Sequence, residues 1–177
     1  LGDLGFLGND AALAFGFSQF LRLKEDWLRL SAELFGHRYL MDCIVPGGVT
    51  RDLTADGSAQ ILQQCDAIER EVRILSGIYE EHAGLQDRFL TTGQLKPELA
   101  AELSVSGLAG RASNQSWDLR TQNALAPYDQ LDTRIATQRN GDVAARVAVR
   151  FDEVFESLRL IRCILTQMPQ GECRVPL

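Results

Sequence analysis

DVAARVAVRFDEVFESLRLIRCILTQM, residues 142–168, carries Val143, Val147, Phe151, Val154, Leu158, Ile161, Leu165 and Met168 at steps of four, four, three, four, three, four and three. Such steps return a side chain to the same side of a helix with 3.6 residues per turn, so the segment reads as a helix with one continuous apolar seam. Pro169 and Gly171 end it, because proline lacks the amide that a further turn needs and glycine lets the backbone leave. A seam of that length has to be covered by other elements.

A second segment has the matching period. Ile61, Cys65, Ile68, Val72, Leu75 and Tyr79 recur at steps of four and three, predicting a helix from about Ser58 to His82, with Ser58 capping its start and Gly84 its end. The amino-terminal run LGDLGFLGNDAALAFGFSQFL is apolar and helical in pattern from Leu1. It predicts a first helix continuing to about Phe35, with Gly2, Gly5, Gly8 and Ala12 making one side thin enough for a neighbour to approach closely. Beyond Arg22 this helix turns amphipathic, with Trp27, Leu30 and Leu34 on one side and Lys24, Glu25 and Arg29 elsewhere. Its apolar opening has the length of a membrane span, but Asp3, Asn9 and Asp10 fall in the half that would cross hydrocarbon, where a carboxylate costs several kcal/mol. A buried helix of a bundle is the better reading, with no transmembrane segment.

Between these helices, HRYLMDCIVPGGVTRDL, residues 37–53, breaks the helical pattern. Arg38 to Val45 alternates as a short strand would, Pro46 removes a backbone donor, and Gly47 and Gly48 permit a reversal. Residues 85–140 are mixed: Pro97 suits the start of a short helix to about Leu103, and Ser, Gly, Asn and Pro then mark loop. The expected fold is mainly α, a helical bundle of long helices with short β elements and a loop-rich insertion. We read residues 1–177 as a single domain, a fragment of a longer protein.

Of the 177 residues, 45% are hydrophobic and 24% charged, the composition of an ordinary globular chain. The formal net charge of -6 argues against a nucleic-acid surface, which depends on clustered Lys and Arg. Cys43, Cys65, Cys163 and Cys173 stand singly, with no CxxC pair, so spacing supplies no metal site.

Several polar groups are candidates for chemistry. Asp10 lies in the apolar run LGNDAALAF, where a carboxylate is expected to be paired or raised in pKa. Arg38 and Arg51 flank the Pro-Gly-Gly turn beside Asp42 and Asp52, a pattern that suits an ion-paired loop. His37 and His82 have no second histidine or nucleophile at a useful spacing; His82 sits at a helix end, where a cation is favoured. GRASNQSWDLR, residues 110–120, reads as loop rather than helix and offers Arg111, Asp118 and Arg120 for two-pronged hydrogen bonds, either cradling an anion or satisfying one another. Asp142, Arg146 and Arg150 follow at steps of four, as an ion ladder beside the apolar seam.

Four segments, in order, carry a resemblance: LGNDAALAFG with Asn9 and Asp10; FGHR with Gly36, His37 and Arg38, followed by PGGV with Pro46, Gly47, Gly48 and Val49; GRAS with Arg111, Ala112 and Ser113, followed by WDLR with Trp117, Asp118 and Arg120, and by PYD with Tyr128; and GDVAAR with Asp142 and Arg146, followed by SLR. The set resembles the large-subunit family that contains the 49 kDa subunit of respiratory complex I and the membrane-bound nickel-iron hydrogenases of the formate hydrogenlyase and hydrogenase-4 type. LGNDAALAFG and FGHR look more like the hydrogenase branch; WDLR is at least as similar to the complex I branch. Val45 stands where the complex I branch carries Arg, and Asn114 follows GRAS where Gly is common.

The resemblance implies an oxidoreductase subunit that docks on an iron-sulfur small subunit and on membrane-arm subunits. It implies a cytoplasmic location, peripheral on the inner face of the cell membrane. The hydrogenase branch implies proton reduction or hydrogen oxidation at a nickel-iron centre held by two CxxC pairs; neither pair occurs here, so the resemblance makes this chain the central fragment of a larger subunit, expected to bind no metal or cofactor and to be inactive alone. The complex I branch implies quinone reduction, driven by NADH oxidised elsewhere in the assembly. Iron-sulfur clusters would sit in partner subunits. Asp10 matches an acidic position near a cavity histidine of that branch, which implies a proton-relay or histidine-orienting role. A redox-silent helical scaffold is the third reading.

Overall fold

The seam of residues 142–168 forms a helix over Val143–Gln167 as its period predicts, with Val147, Phe151 and Leu158 buried and the other seam residues half-buried. The computed structural model describes residues 1–169 and 171–175. In chain order its elements are α1 (Gly2–Asp10), α2 (Ala14–Phe35), β1 (Ile44–Val45), β2 (Gly48–Val49), α3 (Ala55–Glu81), α4 (Ala83–Phe89), α5 (Pro97–Glu102), α6 (Gly107–Ala112), α7 (Leu119–Gln122), a 3₁₀ turn (Tyr128–Gln130) and α8 (Val143–Gln167). Mainly α, with one two-stranded sheet, this is the bundle with short β elements that the sequence predicts.

Helices α2, α3 and α8 form the body. Val147, Phe151 and Leu158 of α8 and all six periodic residues of α3 are buried in one core. Phe20 of α2, Tyr79 of α3 and Phe151 of α8 meet at its centre, with ring centroids 5.6 to 5.9 Å apart in tilted or edge-on pairs. That geometry aligns ring edges with neighbouring π faces and contributes beyond the area buried. Leu4 of α1 and Leu85 and Phe89 of α4 close the ends of this cluster.

The first helix is not continuous. It breaks at Ala11–Leu13, where Ala12 adopts φ 67° and the Leu13 amide donates to the Gly8 carbonyl at 2.7 Å. The glycine side of α1 explains the break, because a straight helix would leave it against solvent. Folding back instead lays Gly5 on Phe20, so closely that a Cβ on Gly5 would stand 3.0 Å from the Cβ of Phe20.

Two helix ends differ from expectation. Helix α3 begins at Ala55 and is capped by Thr54, whose Oγ1 accepts the Gly57 amide at 3.1 Å, so Ser58 lies inside the helix. At the other end His82 terminates α3 and starts α4, its Nδ1 accepting the Leu85 amide at 3.2 Å. His82 thus serves as the cap of α4, and Gly84 lies within α4 rather than ending α3.

Residues 85–140 contain the expected α5 but also the rest of α4, α6, α7 and the 3₁₀ turn, none longer than seven residues. Helices so short have almost no period to read. The expected strand of Arg38 to Val45 shrinks to Ile44–Val45, paired antiparallel as Ile44 with Val49 and Val45 with Gly48. Pro46 and Gly47 are the turn residues, and Gly47 at φ 89° takes the left-handed place that a type II turn reserves for glycine. Residues 173–175 then add to the other edge of β2 through Val49 N–H to the Cys173 carbonyl at 3.0 Å and Val175 N–H to the Gly47 carbonyl at 2.9 Å.

Candidate functional site

The motif residues divide into three places. At the α1–α2 turn, Asn9 and Asp10 end α1 and are exposed. Among the described residues the Asp10 carboxylate has no hydrogen-bond or ion-pair partner. This corrects the expectation of a paired, buried acid: the break after residue 10 carries the side chain to the surface.

The second place lies at the far end of α2, which rises about 1.5 Å per residue and so separates it from Asp10 by roughly 30 Å. Gly36 ends α2 at φ 88° in the left-handed conformation, with the Arg51 guanidinium packed where a side chain would stand. His37 accepts the Tyr39 amide at Nδ1, at 3.2 Å. Arg38 reaches back to Glu25 at 2.6 Å and lies over the Tyr39 ring, 5.5 Å from its centroid. Among the described residues Arg38, Arg51, Asp42 and Asp52 do not pair with one another, and the ion pair that anchors this loop to the bundle is that of Arg38 with Glu25 of α2. Asp52 accepts the Leu53 amide instead, and the Asp42 carbonyl accepts Thr50 Oγ1. Gly48 has no room for a side chain, since a Cβ would stand 2.2 Å from the Cys173 carbonyl oxygen. Val49 pairs with Ile44 and is half-buried. Tyr39, Leu40, Met41 and Ile44 leave apolar surface exposed around this hairpin, with Ile44 at 84%.

The third place runs along α8. Asp142 is 2% exposed and caps the helix: Oδ1 accepts the Ala145 amide at 2.8 Å and Oδ2 the Thr91 amide at 2.9 Å. Arg146 donates to the carbonyls of Gly93 at 2.7 Å and Gly141 at 3.0 Å, and Arg150 forms an ion pair with Asp3 of α1. These three residues are not a solvated ladder. Asp142 and Arg146 tie the turn at residues 91–93 to α8, and Arg150 ties α1 to it. Arg111 of α6 completes the row with Glu153, Nε donating to Oε1 at 2.7 Å.

Residues 110–120 are helical at both ends, in α6 and α7, which the sequence reading misses. Asp118 accepts from Arg120 through the backbone N–H and Nε, each at 3.0 Å, and Nη2 at 2.7 Å. The Arg120 guanidinium holds the Asp118 carboxyl below the usual carboxylate range and is itself raised by that partner. Arg120 is satisfied within the segment by Asp118 and Arg111 from outside it by Glu153 of α8, so each guanidinium already carries a carboxylate. Ala112 and Ser113 are fully buried, Tyr128 is half-buried, and Trp117 is exposed at one wall of a cleft of about 700 Å³ that Arg111, Gln115 and Asp118 also line.

The two residues that sequence reasoning passed over are Tyr79 and Glu153. Tyr79 is visible as a seam position, but nothing in the sequence says where its hydroxyl goes. Glu153 is visible only once α6 is known to pack on α8. Among the described residues no three His, Cys, Asp or Glu side chains gather in a way that would hold a metal. Cys65 is buried, and burial pushes its thiol up; with the others dispersed, the thiols here do not make the four-thiolate set of a nickel-iron centre.

Comparison with known proteins covers almost the whole chain. Residues 10–176 match the family described as respiratory-chain NADH dehydrogenase, 49 Kd subunit. Formate hydrogenlyase subunit 5 of Escherichia coli is 30% identical over 173 residues, 98% of this chain and 30% of that protein. An NADH-quinone oxidoreductase polypeptide of Thermosipho melanesiensis is 31% identical over 150 residues, 85% of this chain and 41% of that protein. The carbon monoxide-induced hydrogenase of Rhodospirillum rubrum is 33% identical over 139 residues, 78% and 38% of the two chains. The chain thus spans less than half the length of these relatives. A chain in the structure of the membrane-bound sulfane sulfur reductase, an archaeal respiratory membrane complex, superposes with a TM-score of 0.88 at 24% identity over 98% of this chain and 47% of its own, which shows the shared fold.

Proposed function

The chain belongs to the family of the 49 kDa subunit of respiratory-chain NADH dehydrogenase, and from that premise we propose that it is the helical core of the large subunit of a membrane-associated, multi-subunit oxidoreductase of the formate hydrogenlyase type. The observation that carries the reading is the similarity to formate hydrogenlyase subunit 5 through 98% of the chain, which includes LGNDAALAFG and FGHR. A second reading, an NADH-linked quinone reductase, is favoured by the family match and by WDLR at residues 117–120. No helix among the described residues is long and apolar enough to cross a membrane. An iron-sulfur small subunit and membrane-arm subunits are the partners proposed, and the exposed apolar surface of Tyr39, Leu40, Met41 and Ile44 supports such docking.

In this reading α8 is the spine that holds α1, the turn at residues 91–93 and α6 in register. A nickel-iron centre would be the site of hydrogen chemistry in the hydrogenase branch and a quinone the electron acceptor in the other. The thiols of this chain do not fit the metal. What this chain contributes is Asp10, a solvent-facing carboxylate without a partner among the described residues. It is suited to accept and release a proton at its Oδ atoms at the edge of the subunit core.

Elemental analysis of the intact parent protein, purified with its partners, tests the branch. Nickel near one atom per large subunit supports the hydrogenase reading; its absence from fully assembled material supports the quinone reading. Asp10→Asn in that assembled protein is expected to lower turnover about a hundredfold or more, the range of a lost proton-transfer group. Unchanged turnover would remove Asp10 from the mechanism.

A further inference from the structure

The turn that presents Asn9 and Asp10 rests on a buried group that the reading above does not use. Tyr79, near the end of α3, is 1% exposed, and its hydroxyl donates to the Leu4 carbonyl of α1 at 2.8 Å. The same oxygen sits between two glycines on either side of the turn: a Cβ on Gly8 would stand 2.2 Å from it, and one on Gly16 2.5 Å. The ring beneath is fixed by the edge-on contacts of Phe20 and Phe151. Burial pushes the phenol up to about 12, so the hydroxyl keeps its proton and remains a donor at any ordinary pH.

Helix α1 has nine residues, too few to be stable without tertiary contacts. Its amino-terminal end is held by the Asp3–Arg150 ion pair. Toward its carboxyl-terminal end the Tyr79 hydroxyl reaches into the angle between α1 and α2, which is open because both facing positions lack a side chain. We propose that Tyr79 is a positioning residue: its hydroxyl, wedged between Gly8 and Gly16 and bonded to Leu4, fixes the α1–α2 turn and thereby the placement of Asp10. The proposal rests on the reading of Asp10 as the proton-relay group and extends it by one residue.

Tyr79→Phe keeps the ring and removes the wedge, and the test is made in the full-length parent protein assembled with its partners. Amide exchange in residues 2–13 is expected to quicken while residues 143–165 exchange as in the wild type. Turnover per assembled complex is expected to fall about fivefold, the size that one hydrogen bond carries, with KM little changed. In an Asp10→Asn background the same substitution adds no further loss. Gly8→Ala, which displaces the hydroxyl from the other side, is expected to reproduce the pattern. Unchanged exchange in residues 2–13 overturns the proposal, as do losses from Tyr79→Phe and Asp10→Asn that multiply. If Asp10→Asn alone leaves turnover intact, it is the relay reading that fails, and the exchange result then decides separately whether Tyr79 fixes the turn.

Discussion

Asp118 takes three hydrogen bonds from one neighbour, Arg120, and the consequence is a pH dependence. Because Arg120 holds the carboxyl below its unfolded value of about 3.9, the folded state binds the proton less readily than the unfolded chain does. The stability from this pair is therefore complete above that value and is lost as pH falls through the folded pKa. Asp118→Asn is expected to flatten the acid limb of stability, read from urea unfolding between about pH 2 and pH 5. Identical acid limbs in the two proteins would show that the pair contributes nothing there. At this scale the sequence reveals a residue's chemistry but not its partner. GRASNQSWDLR was legible as a place for two-pronged hydrogen bonds, yet that Arg120 turns to Asp118 while Arg111 leaves for Glu153 depends on the packing of α6 on α8. Asp10 misleads for the same reason, since its burial hangs on whether the helix continues past it.

Elements with a long period were readable and those without were not. Helix α8 and helix α3 were legible because many apolar residues at steps of three and four leave one interpretation. The break at Ala11–Leu13 was hidden because no proline marks it and because Ala11, Ala12 and Leu13 are all good helix formers. Asp142 shows how a spacing can be right and its meaning wrong: its step of four to Arg146 suggests a ladder, but it stands just before the first helical residue and serves as a cap. Asp142→Ala is expected to destabilise the protein by about 2 kcal/mol, about 1 for the lost cap and about 1 for the Thr91 amide left without its acceptor. Equilibrium urea unfolding measures this. A loss under about 0.5 kcal/mol would mean that the α8 start and the turn at residues 91–93 are held by other contacts.

For the molecule as a whole, a net charge of -6 keeps like copies apart, while the hairpin end presents apolar side chains to water. Tyr39, Leu40, Met41, Ile44 and Val175 are each half or more exposed, on a loop and three short strand segments with a free backbone edge at β1. Open edges and grouped apolar side chains are the two features by which chains find partners or one another. The 177-residue chain in isolation is thus expected to self-associate through this end. Ile44→Asp places a charge at the most exposed position, 84% open, and touches nothing in the core. Its stability should stay within about 0.5 kcal/mol of wild type, while sedimentation velocity shows a shift toward monomer. Undiminished association at unchanged stability would move the docking surface to the other exposed apolar group, around Trp117, Leu119 and Leu125. A monomeric wild-type chain would mean that the charge outweighs both.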